Sequence, residues 1–413
     1  MSSSTVPVAG SPAADWAASG VVALTGRPDG PVLVPPGRAA TRARALIAAF
    51  AAGTGRAAAL DGAQLLGERA ALTGMRRRGA VSVGGRCRLL PTADGWAAVS
   101  CARPDDHLLL GALIGDDLDA GNPWPAITEW ALTHRGAELA ERAELLGVAA
   151  APVRSIEPAP LPAPVTPRPV DGLLVVDFSA LWAGPLCAHL LGLAGARVIK
   201  VETPDRPDGA RRGDPAFYAL LHHGHESVVL DPTDPAGRSA LTSLVEAADI
   251  VIEASRPRAL AGFGLDAEAA VERGTVWVSI TAAGRGSPRI GFGDDVAAAA
   301  GLIAHEPGSG TPVFVGDAIA DPLTGLTAAT LAMSTPADGR GVLWDVSMTE
   351  VVAATLTADA VPPTFRRGDG WFIDAGAEAI RVAGPSARTP AGPAADSGAD
   401  TARVLASLRI PAP

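Results

Sequence analysis

LLVVDFSALWAGPLCAHLLGLAGARVIKVE, residues 173–202, decides how this chain folds. A largely apolar run, Leu173–Phe178, enters a short AGP turn. Leu186, His189, Leu190 and Leu193 then recur at helical spacing, Gly195 ends that stretch, and a second apolar run finishes on Glu202. The pattern predicts strand–turn–helix–strand, the crossover unit of a parallel sheet. Pro185 fits the first helical turn, where its missing N–H costs nothing, and Gly195 fits the position just past the end. In such sheets the turn after the first strand is where ligands bind. A dinucleotide-binding unit is the competing reading, and Glu202 would suit a ribose contact. Its glycine spacing is absent, because the turn offers only Gly184 followed by Pro185 where three glycines must admit a pyrophosphate.

The whole chain has 413 residues, enough for a large core and more than one domain. Its formal charge of −10, from 34 basic and 44 acidic side chains, argues against a nucleic-acid or anionic-membrane partner. Lys200 is the only lysine, which reads as a coding bias towards arginine. Cys87, Cys101 and Cys187 are too few and scattered for a disulfide framework or a zinc site. With no signal-peptide layout at the start and no apolar run of membrane-spanning length, a reducing cytoplasm is the expected compartment. His222, His223 and His225 lack metal-ligand spacing and read as a turn.

Ala150–Val170 is proline-rich and predicts an extended linker. Beyond it, strand candidates Leu173–Val176, Val198–Val201, Ser227–Leu230, Ile250–Ile252 and Val276–Ile280 alternate with helices such as Pro235–Ala247. That alternation predicts an α/β domain over residues 171–364. Residues 365–413 form a C-terminal extension, and Gly384–Pro413, rich in Pro, Gly, Ala and Ser, predicts a poorly ordered tail closing on a short helix. Residues 1–149 read as a smaller α+β unit. Helices are expected at Ala40–Ala59, Leu65–Thr73, His107–Ile114 and Trp124–Leu146, with strands Cys87–Pro91 and Trp96–Cys101 about the turn Thr92–Gly95. Asp15–Val34 also echoes Asp295–Val315. Setting Gly20 on Gly301 brings Pro31 onto Pro312 and Ala40 onto Asp321, as a partial duplication would.

Seven stretches in order resemble the class III CoA-transferases, the carnitine CoA-transferase and bile-acid-inducible F type. That family also includes formyl-CoA transferase and α-methylacyl-CoA racemase. The stretches are VVDFSALWAGP (175–185), GARVIKVE (195–202), HHGHESVVLDPTDPAGR (222–238), ADIVIEASRP (248–257), GFGDD (291–295), AIADPLTGLTAAT (318–330) and GRGVLWDVSMTE (339–350). Arg76–Asp106 is similar to the opening of the family's small domain. The resemblance implies an open parallel Rossmann-like sheet domain plus a smaller α+β domain placed N-terminally, a permuted or partly duplicated form of the fold.

It further implies an acyl-CoA:carboxylate CoA-transferase with Asp321 as nucleophile and an aspartyl-CoA thioester intermediate. Coenzyme A thioester is then a substrate, a carboxylic acid the acceptor, and no cofactor is held permanently. The same Asp321, before Pro322, also reads as a helix N-cap. Leu181, Trp182 and Ala183 fall where the family's first loop meets CoA, Trp182 reading equally as a packed indole. His225, Ser255 and Arg256 fall in further CoA-contacting loops. Gly84 and Gly85 match a glycine loop that covers the intermediate, though a bend before a strand is the plainer alternative. Several basic positions of the family are missing, with Arg211, Arg212, Arg256 and Arg258 as possible substitutes. Family members form interlocked homodimers. The alternatives are an α-methylacyl-CoA racemase, disfavoured by Asp294 standing where that branch keeps a histidine, and a non-catalytic acyl-CoA-binding paralogue.

Overall fold

The computed structural model describes residues 11–56, 59–154, 157, 161–162, 166–254, 257–336, 340–376 and 378–413. The chain opens with helices α1 (Pro12–Ala18), α2 (Ala39–Thr54) and α3 (Glu68–Thr73). Helix α2 is shorter than its sequence pattern suggests because Gly55, at φ 70°, turns left-handed and closes it on the Ala51 carbonyl.

A small domain follows. Strands β1 (Cys87–Thr92) and β2 (Gly95–Ser100) form a hairpin, and β3 (Ala150–Pro152) adds antiparallel to β2. The segment read as linker therefore begins as a strand. Helices α4 (Asp106–Ile114), α5 (Trp124–Thr133) and α6 (Gly136–Leu146) cover the sheet around Leu90, Val99, Leu110, Ile127 and Leu139. The single helix expected over Trp124–Leu146 is broken. His134 and Arg135 are extended, and Asp94 of the hairpin turn accepts the Gly136 N–H at 2.8 Å, starting α6 afresh.

The large domain is built on β4 (Leu174–Asp177), α7 (Ala183–Leu193) and β5 (Arg197–Glu202), the unit read from the opening stretch. Strands β6 (Glu226–Val229), β7 (Ile250–Glu253), β8 (Val276–Thr281) and β9 (Val342–Ser347) complete an all-parallel sheet of order β9-β8-β7-β4-β5-β6. From β4 the chain moves outward through β5 and β6, then returns to lay β7, β8 and β9 on the other side. The order reverses between β4 and β7, and the crevice beyond their carboxyl ends is the switch point where such sheets bind ligands.

Helix α9 (Ala320–Ala332) packs on this sheet and on α7, while α8 (Gly293–Ala299) packs between α9 and the small domain's β2 and β3. Gly325 lets α9 approach α7 closely, since a Cβ there would lie 2.6 Å from the Ala183 carbonyl. Trp16, Val21, Phe50 and Leu65 share one core with Leu186, Leu191, Leu323 and Leu326. The N-terminal helices therefore complete the large domain, although residues 1–149 read as one unit in the sequence.

The shift that sets Gly20 on Gly301 carries Pro12–Ala18 onto Gly293–Ala299 and the first residue of α2, Ala39, onto that of α9, Ala320. It also sets Gly37 (φ 74°) on Ala318 (φ 44°), two left-handed residues before equivalent helices. The sequence echo is thus an echo in backbone geometry, with Ala40 where the second copy has Asp321.

The tail expected to be poorly ordered instead packs along the large domain. Arg388 bonds Glu68 at 2.7 and 2.8 Å and His189 at 2.8 Å. Asp400 accepts the Ser227 N–H at 2.9 Å, and helix α10 (Thr401–Leu408) buries Val404 and Leu405 beside β6. No helix among the described residues is long and apolar enough to cross a membrane.

Candidate active site

The segment Gly316–Pro322, GDAIADP, holds a carboxylate at the start of α9. Ala318 adopts φ 44°, a region costly for a residue with a Cβ, and its N–H donates to Asp294 Oδ1 at 2.8 Å. Its carbonyl accepts the Asp321 N–H at 2.9 Å. Asp321 is the second residue of α9, and the cap position is Ile319, so the N-cap reading fails. Among the described residues no donor bonds the Asp321 carboxylate. Gly293 is required beside it, because a Cβ there would overlap Asp321 Oδ2 and the Ala318 carbonyl.

Asp321, Asp294 and Asp317 crowd around one cation, Arg69 of α3. Its guanidinium grips Asp317 with two bonds of 2.8 and 2.6 Å. Burial opposes the charge on Arg69, and the carboxylates outweigh it. For Asp321, burial is the main cause that pushes the pKa up to about 7; Arg69 pulls it down, and Asp294 and Asp317 push it further up. Burial, with Asp317 next among the causes raising it, also pushes Asp294 up to about 7. Asp295 rises to about 6 through burial, against the pull of Arg289. Ser100 of the small domain donates to Asp295 Oδ1 at 2.8 Å and so fastens the two domains at this point.

Asp321 opens into a cavity of about 240 Å³ at the switch point. Ala180, Leu181 and Ala183 wall it after β4, Ala254 after β7, Ile280 to Ala282 at the end of β8, and Met348 after β9. Arg289 and Arg103 supply its basic groups, but Arg103 is already bonded to Asp106 at 2.7 Å and the Gly147 carbonyl at 2.7 Å. Leu181 and Ala183 thus share a cavity with Asp321. Leu181 is held at φ 70°, its N–H donating to Asp208 Oδ1 at 3.0 Å. Lys200 anchors that loop from beneath, 3.1 Å from Asp208, 3.7 Å from Asp177 and bonded to the Ser179 carbonyl. The lone lysine, read above as codon bias, is a buried structural cation.

Trp182 does not line the cavity. At 1% exposure it is a packed indole, edge-on to Phe217 at 5.2 Å with Arg69 5.0 Å above its ring. His225 does not join the site either. It precedes β6 at the amino end of the parallel sheet, against Gly192 and His189, and burial pushes its pKa down to about 3. Neutral and at the wrong edge, it cannot meet a phosphate at the carboxyl edge. Ser255 and Arg256 lie outside the described residues. Arg211 is committed to Glu202 at 2.6 and 2.9 Å, so it is no substitute cation.

The Gly84–Gly85 loop does reach the cluster. It is a tight turn closed by the Gly85 N–H on the Ser82 carbonyl at 2.8 Å, with Gly85 at φ 75°. A Cβ at Gly84 would sit 3.7 Å from Arg69 and 4.0 Å from Asp317, so this loop borders the carboxylates directly. Sequence reasoning missed Arg69, Asp317 and Arg289. Asp317 precedes Asp321 by four residues and was open to inspection, whereas nothing local marks Arg69.

Fold and site define an α/β protein with a carboxylate-bearing cavity at the switch point of an open parallel sheet. Residues 170–370 match the model of CoA-transferase family III, so this segment carries that family's sequence and the resemblance read from the landmarks is borne out. The chain is 30% identical over 207 residues to succinyl-CoA–D-citramalate CoA-transferase of Chloroflexus aurantiacus, covering 46% of this chain and 52% of that protein. It is 33% identical over 175 residues to human succinyl-CoA:glutarate CoA-transferase, covering 39% and 40%. It is 32% identical over 174 residues to formyl-CoA:oxalate CoA-transferase of Rhodopseudomonas palustris, covering 39% and 41%. The chain thus spans about half the length of the curated relatives it matches. A CAIB/BAIF family protein from Brucella suis aligns with a TM-score of 0.44 and 27% identity, over 50% of this chain and 66% of that one.

Proposed function

We propose that this protein transfers coenzyme A from an acyl-CoA to a carboxylic acid, with Asp321 as the covalent carrier. The observation behind this reading is a carboxylate, bonded by no donor among the described residues, facing a cavity walled by Leu181 and Ala183 at the sheet's ligand-binding edge. An ionised Asp321 oxygen attacks the thioester carbonyl. The carbon–sulfur bond breaks and CoA thiolate leaves, giving a mixed anhydride. The thiolate then attacks the aspartyl carbonyl, releasing the donor acid as carboxylate and leaving an aspartyl-CoA thioester. The acceptor carboxylate attacks that thioester, and the returning thiolate attacks the acceptor's acyl carbon to yield the new acyl-CoA and free Asp321.

Burial and the cavity both serve this chemistry. Burial raises the basicity of the Asp321 oxygen, and a thioester filling the cavity would displace the water that could hydrolyse an anhydride. In this reading the turn at Gly84 and the Arg69 guanidinium, which border the carboxylate cluster, offset the charge that develops on the attacked carbonyl. The nucleotide end of CoA would run along the carboxyl edge towards a separate cavity of about 480 Å³ between Thr203–Arg206 and Asp231–Thr233. The family resemblance favours a homodimer, and three free cysteines suit a reducing cytoplasm.

Isotope exchange tests the reading. Labelled succinate incubated with unlabelled succinyl-CoA should yield labelled succinyl-CoA with the wild type and none with Asp321→Ala. Loss of the α-proton without exchange of the acid would point to the racemase instead, and exchange undiminished in Asp321→Ala would refute the assignment.

A further inference from the structure

Among the described residues, three other than glycine take a left-handed backbone: Leu181 at φ 70°, Ala318 at φ 44° and Arg409 at φ 57°. Arg409 closes helix α10. The other two stand at Asp321. Leu181 lines its cavity, and the Ala318 carbonyl accepts the Asp321 N–H. Each has its own N–H fixed by an aspartate, Ala318 by Asp294 at 2.8 Å and Leu181 by Asp208 at 3.0 Å. Asp294 belongs to the carboxylate cluster around Arg69, whereas Asp208 has no part in it.

Asp208 is itself fixed from every side. Its side chain is buried, Lys200 lies 3.1 Å from Oδ2, and its own N–H donates to Glu202 Oε1 at 2.7 Å. Burial opposes the charge on Asp208, and Lys200 with the N–H groups of Leu181 and Ala210 outweighs it, so the carboxylate stays ionised. Oδ1 accepts from Leu181 at 3.0 Å and from Ala210 at 2.9 Å, which ties the turn after β4 to the turn after β5. Gly209 brings the two turns together, since a Cβ there would lie 3.2 Å from Leu181 Cδ2. Leu181 remains 42% exposed, an apolar side chain held at the cavity and not in the core. A left-handed leucine persists only where its surroundings fix it, and residues of this kind gather at ligand-binding sites.

We propose that Asp208 is a positioning residue of the transfer site: its Oδ1, by holding the Leu181 N–H, keeps the turn after β4 in the shape that receives the thioester beside Asp321. The proposal rests on the transferase reading and adds to it a residue outside the cavity wall. Lys200 faces the second oxygen and so sets the direction of the first.

The test is a double-mutant cycle read in kcat/KM for transfer from succinyl-CoA. Asp208→Ala should lower it about 100-fold, the scale of a misplaced reacting group. Asp208→Asn keeps an oxygen for the Leu181 N–H and gives up the charge facing Lys200, so it should recover most of that loss. Glycine holds φ 70° without strain, so in a Leu181→Gly background the Asp208→Ala change should cost roughly 10-fold or less. An equal fold-loss in both backgrounds, or Asp208→Asn as impaired as Asp208→Ala, would show Asp208 to be only the partner of Lys200 and would overturn the proposal. If Asp208→Ala does not fold, Asp208→Glu takes its place in the cycle, because it keeps the charge and moves the oxygen by one methylene. Calorimetric binding of succinyl-CoA to the same proteins separates this proposal from the Asp321 reading. Transfer without coupling between Asp208 and Leu181 refutes the positioning role alone. Coupling in binding with no transfer refutes Asp321 as carrier and supports the positioning role, and coupling in neither measurement refutes it.

Discussion

Arg69 grips Asp317 with both arms of its guanidinium, at 2.8 and 2.6 Å across 248 residues of chain. The pair joins an N-terminal helix to the loop that presents Asp321. It also supplies the cation that offsets three neighbouring carboxylates.

Replacing Arg69 by Met should therefore both loosen the fold and disturb the site. Removing one partner of a buried pair strands the other, at a cost of about 3–5 kcal/mol. Denaturant melts should show that loss. The residual activity should have its pH midpoint displaced upward, because Asp321 loses the group that holds its pKa down. An unchanged midpoint would show that Arg69 is only a structural tie.

The pH profile follows from the ionisation of Asp321. In the proposed mechanism the attacking species is the carboxylate, and burial pushes the group's pKa up to about 7. Activity in kcat/KM should thus rise as pH increases through about 7, rather than near 4 as an exposed aspartate would give. Asp294, also near 7, titrates with it, so the rise should be broader than a single-group curve.

Stability should run the opposite way. A carboxyl group that keeps its proton up to about 7 in the folded chain, against 3.8 for an ordinary aspartate, binds more protons folded than unfolded. Its contribution is fully present below the unfolded pKa and is lost as pH rises through the folded one. Asp321→Asn should accordingly melt above the wild type at pH 8, and the difference should vanish at pH 3. A melting difference independent of pH would contradict the raised pKa.

Gly293→Ala tests the packing around Asp321, the proposed nucleophile. The added methyl would overlap both Asp321 Oδ2 and the Ala318 carbonyl, so the carboxylate must shift. A displacement of that kind costs ~10²-fold in rate, and the overpacking costs about 1–3 kcal/mol. Folded protein with wild-type kcat would show that Asp321 does not need its observed position.

Much of the fold was legible because its signals are local. The β4–α7–β5 unit announces itself through apolar runs, Pro185 and Gly195, and Pro235–Ala247 is a helix as read. The break at His134 was not legible, since it depends on Asp94 reaching across from a hairpin. The order of the tail was hidden for the same reason: Arg388 and Asp400 bind partners far away in sequence. At the candidate site, Asp321, Leu181, Ala183 and the Gly84 turn were singled out through the family resemblance, and the structure brings the first three to one cavity and the turn to the border of the carboxylate cluster. Trp182 was undecidable from a loop position alone. His225 was avoidable: a residue that precedes a parallel strand stands at the edge opposite the ligand. Arg69 was beyond reach, because an arginine in a short N-terminal helix carries no mark of a partner 248 residues away.

The most direct test is the intact mass of the protein after mixing with succinyl-CoA, followed by peptide mapping. The account predicts an adduct of one CoA less water on the peptide holding Asp321, discharged by hydroxylamine, reduced by borohydride and absent from Asp321→Ala. Transfer activity with no such adduct, or an adduct that survives in Asp321→Ala, would contradict it.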